Sequence, residues 1–344
     1  MKRYLVLAEG HSDDPHHGKT MYGVIRYGAD PVVCVLDSRR AGATVEGLPV
    51  VATVAEALPY EPTTALVGVA PSGGRLPPVW RSLLADAVRA GLDVEAGMHE
   101  FLADDPELAG LAREHGVELR DLRRPPADLS VATGANLEHG AAVALTVGSD
   151  CAIGKKTVAI ELDRAARARG LASVFVPTGQ TGIMIAGWGI AVDAVVADFL
   201  AGAAERLVVD GAARGDVLWV EGQGSLVHPQ YSGVTLGLLH GSAPHALVLC
   251  HKAGDTHVEG MPAHPIPPLT ELVELYERAA LPARPARVAA VALNTRRLPE
   301  DEARAAVADA EEETGLPADD PVRFGAGRLL DAALAALPSG ITRG

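Results

Sequence analysis

Two α/β sheets in tandem are what the sequence predicts: an N-terminal Rossmann-like domain over residues 1–130 and a P-loop NTPase-like, doubly wound parallel sheet over residues 131–344. Three observations lead there. Short runs rich in Val, Ala and Leu alternate with helical patterns along the chain. Apolar residues make up 48% of the composition and aromatics only 4%, which suits parallel strands that are apolar on both faces. The apolar run Ala141 to Val147 leads into Gly148-Ser149-Asp150-Cys151-Ala152-Ile153-Gly154-Lys155-Lys156-Thr157, a strand, a Gly-rich loop and a helix start.

In the first part, Tyr4 to Ala8 reads as a strand, Thr20 to Tyr27 as a short helix, and Val32 to Leu36 as a second strand ending at Asp37. Ala65 to Ala70, Val79 to Ala90, Leu92 to Ala96 and a helix near Leu108 to His115 continue the βα alternation. Arg123-Arg124-Pro125-Pro126 ends it, with the boundary expected between residues 124 and 140. The second part continues from the phosphate-loop strand and helix to a strand at Ser173 to Val176, a Gly-rich loop from Thr178 to Gly189, and an apolar-periodic helix from Val192 to Leu207. Strands are expected at Val217 to Val220, Ala246 to Cys250 and Val288 to Leu293. Helices are expected near Leu269 to Arg278, Asp301 to Thr314 and Gly327 to Leu337.

With 344 residues there is room for one large or two ordinary domains. A formal charge of −14 argues against nonspecific nucleic-acid or anionic-membrane partners, which need basic surface. An anionic small ligand must therefore meet local positive charge. Cys34, Cys151 and Cys250 are odd in number and far apart, so neither a disulfide framework nor a zinc knuckle is suggested. The first apolar run is too short for a signal peptide, and none approaches the roughly 18 apolar residues of a membrane span. A soluble cytoplasmic protein is expected, and an oligomer, commonly a dimer, is plausible at this size.

The phosphate loop is where the chain declares chemistry. Backbone N–H groups of Gly148 to Gly154, the positive end of the following helix and Lys155 converge on a polyphosphate. Two features depart from the usual loop: five residues separate the glycines, and Lys156 stands where a hydroxyl normally holds Mg²⁺, before Thr157. Either Asp150 ligates the metal or the phosphate arrives without one. Ligands of such sheets lie at the carboxyl ends of strands, which draws attention to Glu221, able to hold Mg²⁺ or take a proton, or merely to cap loop amides. His228 in the loop after it is a second base candidate. Asp198 on the helix expected at Val192 to Leu207 is either functional or solvated. Gln180 and Thr181 in the Gly-rich segment, Ser225, and His251 with Lys252 at a strand end could contact substrate, and Asn294 could read a nucleotide base. Arg75, in the loop Ser72-Gly73-Gly74-Arg75, could pair bidentately with a carboxylate. Cys151 as a nucleophile is weighed against a small buried residue, and the second is preferred. Gly10 to Thr20 imitates a phosphate loop too long to be one and reads as a ligand-facing βα loop.

Gly148-Ser149-Asp150 through Gly154-Lys155, with Val220-Glu221-Gly222, resembles the dethiobiotin synthetase branch of P-loop proteins. That resemblance implies a Mg²⁺ ion held by Asp150 and Glu221. A longer set covers nearly the whole chain: Gly18-Lys19-Thr20, Pro71-Ser72-Gly73-Gly74-Arg75, Gly97-Met98-His99-Glu100-Phe101-Leu102, Gly179-Gln180-Thr181-Gly182, Asp193 to Phe199, and Glu221-Gly222-Gln223-Gly224-Ser225-Leu226-Val227-His228-Pro229. These resemble a long-uncharacterised P-loop family whose characterised members are described as D-glutamate N-acetyltransferases, using acetyl-CoA in D-amino-acid catabolism. The resemblance implies acetyl-CoA phosphates on the loop with Lys156 as an extra contact. It implies a base among Glu221, Asp198 and His228, and carboxylate contacts among Arg75, Lys252 and Arg296. The alternatives are an ATP- and Mg²⁺-dependent ligase or kinase that activates a carboxylate, and a nucleotide-binding regulator without turnover.

Overall fold

The computed structural model describes residues 1–14, 17–69 and 76–338. Arg75 and its loop lie outside the described residues. The order begins β1 Tyr4–Leu7, α1 Lys19–Tyr27, β2 Val32–Leu36, β3 Thr44–Val45, β4 Leu48–Val51, α2 Val54–Ala57, β5 Thr64–Val67, α3 Pro78–Arg89, β6 Asp93–Ala96, α4 Pro106–His115 and β7 Leu119–Asp121. These strands form one sheet in the order β3-β4-β2-β1-β5-β6-β7, parallel except for the β3/β4 pair. Local chemistry sets the helix ends. Asp105 accepts the N–H groups of Glu107 and Leu108 with Pro106 at the first helical position, and Gly116 at φ 68° closes α4, the preferred start and stop of a helix.

The chain continues through β8 Ala142–Gly148, α5 Lys155–Ala168, β9 Ser173–Val176, α6 Gln180–Ala186, α7 Ala197–Ala212, β10 Val217–Val220, α8 Ser232–Ser242, β11 Ala246–Lys252, α9 Leu269–Ala280, β12 Arg287–Asn294, α10 Glu300–Thr314, β13 Ala318–Asp319 and α11 Gly327–Ala336. The second sheet has the order β13-β12-β11-β8-β10-β9 and is parallel throughout. β8, β9 and β10 are buried along their whole length, as strands covered on both faces must be. β8 has β10 on one side and β11 on the other, so the loop after it opens at the switch of the sheet.

By internal contacts one unit comprises Met1–Pro125 with Gln180–Ala194, and the other Pro126–Gly179 with Val195–Gly344. Two sequence expectations are corrected. The segment expected as a Gly-rich loop contains α6, because only Gly182 lies inside the helix while Gly179, Gly187 and Gly189 flank it. The helix expected from Val192 is interrupted: Val192–Ala194 is a 3₁₀ turn and α7 starts at Ala197. Asp193 is therefore on that turn and not on α7. Short β3, β4, β7 and β13 offer too few residues to show a period, and α8 escapes notice because Gly233, Gly237 and Gly241 lower its helical signal.

Candidate functional site

The loop between β8 and α5 is built by backbone that only particular residues permit. Gly154 has φ 115° and Ala152 φ 52°, left-handed conformations that cost a non-glycine residue about 1 kcal/mol or more. A Cβ on Gly148 would lie 2.5 Å from Ile153 Cδ1. α5 begins with no side-chain cap at Gly154, and a helix start of that kind suits an anion. Lys155 is buried, at 6% exposure, and its Nζ donates to Asp150 O at 2.5 Å. Burial holds its pKa below the usual lysine value, against the pull of Cys151, Cys250, Asp150 and Glu221. The expected convergence of loop amides is only partial, since the N–H groups of Gly148, Ser149 and Cys151 are taken by Tyr276 Oη, Cys250 O and Asp150 Oδ1; a phosphate delivered here would meet the desolvated Lys155 side chain and the start of α5.

Around the loop, Asp150 is fully buried. Its Oδ1 accepts the N–H of Cys151 at 2.6 Å and its Oδ2 the N–H of Glu259 at 2.7 Å. His228, 3% exposed, places Nε2 3.9 Å from Asp150 Oδ1. Its Nδ1 accepts the N–H of Gln230 at 3.2 Å, so the neutral ring carries its proton on Nε2. Donor atoms of Asp150, Cys151 and His228 lie within 4.8 Å of one another. Ser149 Oγ pairs with His251 Nδ1 at 2.9 Å, and burial lowers the His251 pKa, with Asp255 and Glu313 opposing. Asn294 donates from Nδ2 to Ile153 O at 3.1 Å, which puts it on the loop.

Glu221 follows β10 and turns its Oε2 to the N–H groups of Thr178 at 3.0 Å and Gly179 at 3.2 Å. Gly222 lets the strand end pass close by: a Cβ there would lie 1.7 Å from Thr146 O. Among the described residues, Glu221 is in no cluster of three or more metal-donor groups. In the structure Asp150 and Glu221 each accept loop amides, and a carboxylate oxygen that accepts one N–H keeps a lone pair for a cation. Ser225 is fully buried and its Oγ accepts the N–H of Val227. Lys252 pairs with Asp255 at 2.7 Å. Arg296 and Asp198 are exposed, the latter in the first turn of α7, where a carboxylate complements the helix dipole. Cys151 is half-buried while Cys34 and Cys250 are buried. Lys156 and Thr157 are half-buried in the first turn of α5.

A second polar cluster belongs to the first unit, and sequence reasoning missed its centre. Arg123, 3% exposed, donates from Nη1 to Gln180 Oε1 at 3.0 Å and from Nη2 to Asp193 Oδ2 at 2.7 Å. Among the described residues its buried Nε has no partner. Gln180 enters because Gly97 has no side chain, since a Cβ there would lie 2.6 Å from Gln180 Cβ. Thr181 Oγ1 meets Thr20 Oγ1 at 2.8 Å. The His99 pKa is lowered by burial and by the Arg123 charge, with Asp193 opposing. Arg123 reads in sequence as part of a linker because it precedes two prolines. No local signal marks it, because the strand that precedes it, β7, is too short to be read from the sequence.

A buried lysine beneath a left-handed Gly-rich turn, at the switch strand of a parallel sheet, defines a P-loop protein. The chain belongs to the DUF1611 family: residues 130–330 match "Domain of unknown function (DUF1611_C) P-loop domain" and residues 38–125 match the Rossmann-like DUF1611_N domain. It is 40% identical over 283 residues to a D-glutamate N-acetyltransferase of Tritonibacter scottomollicae, covering 81% of this chain and 84% of that protein. It is 38% identical over 231 residues to a D-glutamate N-acetyltransferase of a Pseudoalteromonas species, covering 67% and 68%. A crystal structure of a DUF1611 family protein from Anabaena variabilis superposes with a TM-score of 0.92 at 42% identity, covering 97% of this chain and all of that one. By this kinship the chain falls among acyltransferase enzymes.

Proposed function

We propose that the protein transfers acetyl from acetyl-CoA to the amino group of an acidic amino acid, D-glutamate first among them, as part of D-amino-acid metabolism. The observation that carries this is kinship at 38–40% identity with two proteins named D-glutamate N-acetyltransferase. The loop supports it: Lys155, Lys156 and the uncapped start of α5 suit the phosphates of coenzyme A.

In this reading Glu221 takes a proton as the amine of the amino acid attacks the thioester carbon. His228 carries its proton on Nε2 and acts as a hydrogen-bond donor. Developing negative charge on the thioester oxygen is met by such donors. The amide forms, the C–S bond breaks, and coenzyme A leaves as its thiol.

The test is free-thiol release from acetyl-CoA with D-glutamate or L-glutamate, each with and without ATP and Mg²⁺, with Lys155→Ala as control. Thiol release with D-glutamate alone, lowered by ~10²-fold or more in the variant, is expected. Silence without ATP, with ADP formed when it is added, would overturn the reading in favour of a ligase or kinase.

A further inference from the structure

The loop after β1 in the first unit takes no part in the chemistry above, yet it gathers two imidazoles and a carboxylate. We propose that His11, Asp14 and His17 bind a divalent first-row transition-metal ion of the zinc or cobalt kind. One donor atom from each lies within 4.8 Å of the other two, and the His11 and His17 ring centroids are 5.1 Å apart.

The backbone winds these three side chains to one side. Asp14 N–H donates to His11 O at 3.1 Å and Gly18 N–H to Asp14 O at 2.8 Å, which ties Asp14 to the backbone on either side of it. The His17 N–H and its Nδ1 both meet the Asp14 carboxylate. A bound metal would take over the contact between the carboxylate and the ring, with modest movement of either.

The loop is also held from below, so its donors are presented and not merely tethered. Asp37, buried at the end of β2, accepts the N–H of Gly10 at 3.0 Å, the N–H of Ser12 at 3.1 Å and Ser12 Oγ at 2.6 Å. Tyr22 Oη donates to Ser12 O at 3.0 Å. Trp80 of α3 stands edge-on to His11 at 6.3 Å. Asp13 of the same loop is paired with Arg40 at 2.9 Å.

Donor type and position select the ligand class. Two imidazoles and one carboxylate suit Zn²⁺, Co²⁺, Ni²⁺ or Fe²⁺ over Mg²⁺ or Ca²⁺, which want all-oxygen shells. Three protein donors leave coordination positions open, as in sites that bind or activate a further ligand. His17 and Asp14 are each 36% exposed, so such a ligand has access. β1 lies between β2 and β5, and the chain runs outward from it on both sides. The loop after β1 is therefore at the switch point of this sheet, where open α/β sheets hold their ligands.

Cobalt(II) titration of the full-length, untagged, chelator-treated protein tests this, followed by absorption spectroscopy and calorimetry. A Cys151→Ala background separates the site from the Asp150–Cys151–His228 group. One Co²⁺ per chain is expected, with ligand-field bands and no thiolate charge-transfer band. Affinity should fall on the order of tenfold to hundredfold in His17→Ala and in Asp14→Asn, with unchanged thermal unfolding of the metal-free proteins. Absence of stoichiometric binding, or unchanged affinity in both variants, would overturn the proposal. Acetyl transfer is measured separately, so either result leaves the acyltransferase reading to its own test.

Discussion

Glu221 ties loop backbone together in the structure and takes the proton in the proposed reaction. Its carboxylate gathers the amides of Thr178 and Gly179, so Glu221→Gln keeps an acceptor for them while removing the proposed base. The expected outcome is a fall in kcat of ~10²-fold with KM little changed, and loss of the acidic limb of the pH–rate profile. Cys151 lies within 4.8 Å of the donor atoms of Asp150 and His228 but is read as a small loop residue and not as a nucleophile. Cys151→Ser should retain most of its turnover in the thiol-release assay; a collapse to background with intact fold would make the thiol part of the chemistry. The loop residues were legible because Gly and Lys at fixed spacing carry their own chemistry. Arg123 was not, since its meaning comes from Gln180 and Asp193, 57 and 70 positions away, a proximity no local pattern encodes.

At the scale of elements, the packing of α7 on α8 rests on missing side chains. A Cβ on Gly241 would lie 2.1 Å from Ala201 O, and one on Gly237 2.0 Å from Leu200 Cδ2. Gly202 on α7 faces Ser130 O at 1.9 Å in the same sense. Gly241→Val must push the helices apart, and a loss of about 2–4 kcal/mol in denaturant unfolding is expected. An unchanged midpoint would mean that α8 can slide to accommodate the side chain. This is also why α8 hid in the sequence: the glycines that lower helix propensity are the ones tertiary packing demands. The long strands were legible for the opposite reason. β8 and β10 are apolar on both faces, so composition alone marks them, while α6 was taken for a loop because flanking glycines outnumber the one inside it.

At the scale of the molecule, half-buried imidazoles contribute to the acid limit. The His245 pKa is pushed down to about 4 by burial, with the charges of Arg284 and His139 adding to it. Burial likewise depresses His139 and His251. An unfolded chain takes up protons at these groups once pH falls below about 6.5, before the folded protein does. The stability they contribute is thus complete above that pH and is lost as pH falls toward 4. For half-buried His245 the loss is about 1–2 kcal/mol after allowing for solvent screening. Urea midpoints across this range should decline less steeply in His245→Asn, and a parallel decline would remove the assignment. No described helix is long and apolar enough to cross a membrane. The return of Gln180–Ala194 to the first unit bears on how such a protein can change over generations. Thr181 and Gln180 fill places prepared by Thr20 and Gly97, so the coding sequence for Met1–Pro125 is not a self-sufficient cassette. Recombination at a single crossover would separate α6 from its seat, and the two halves must be inherited as a matched pair.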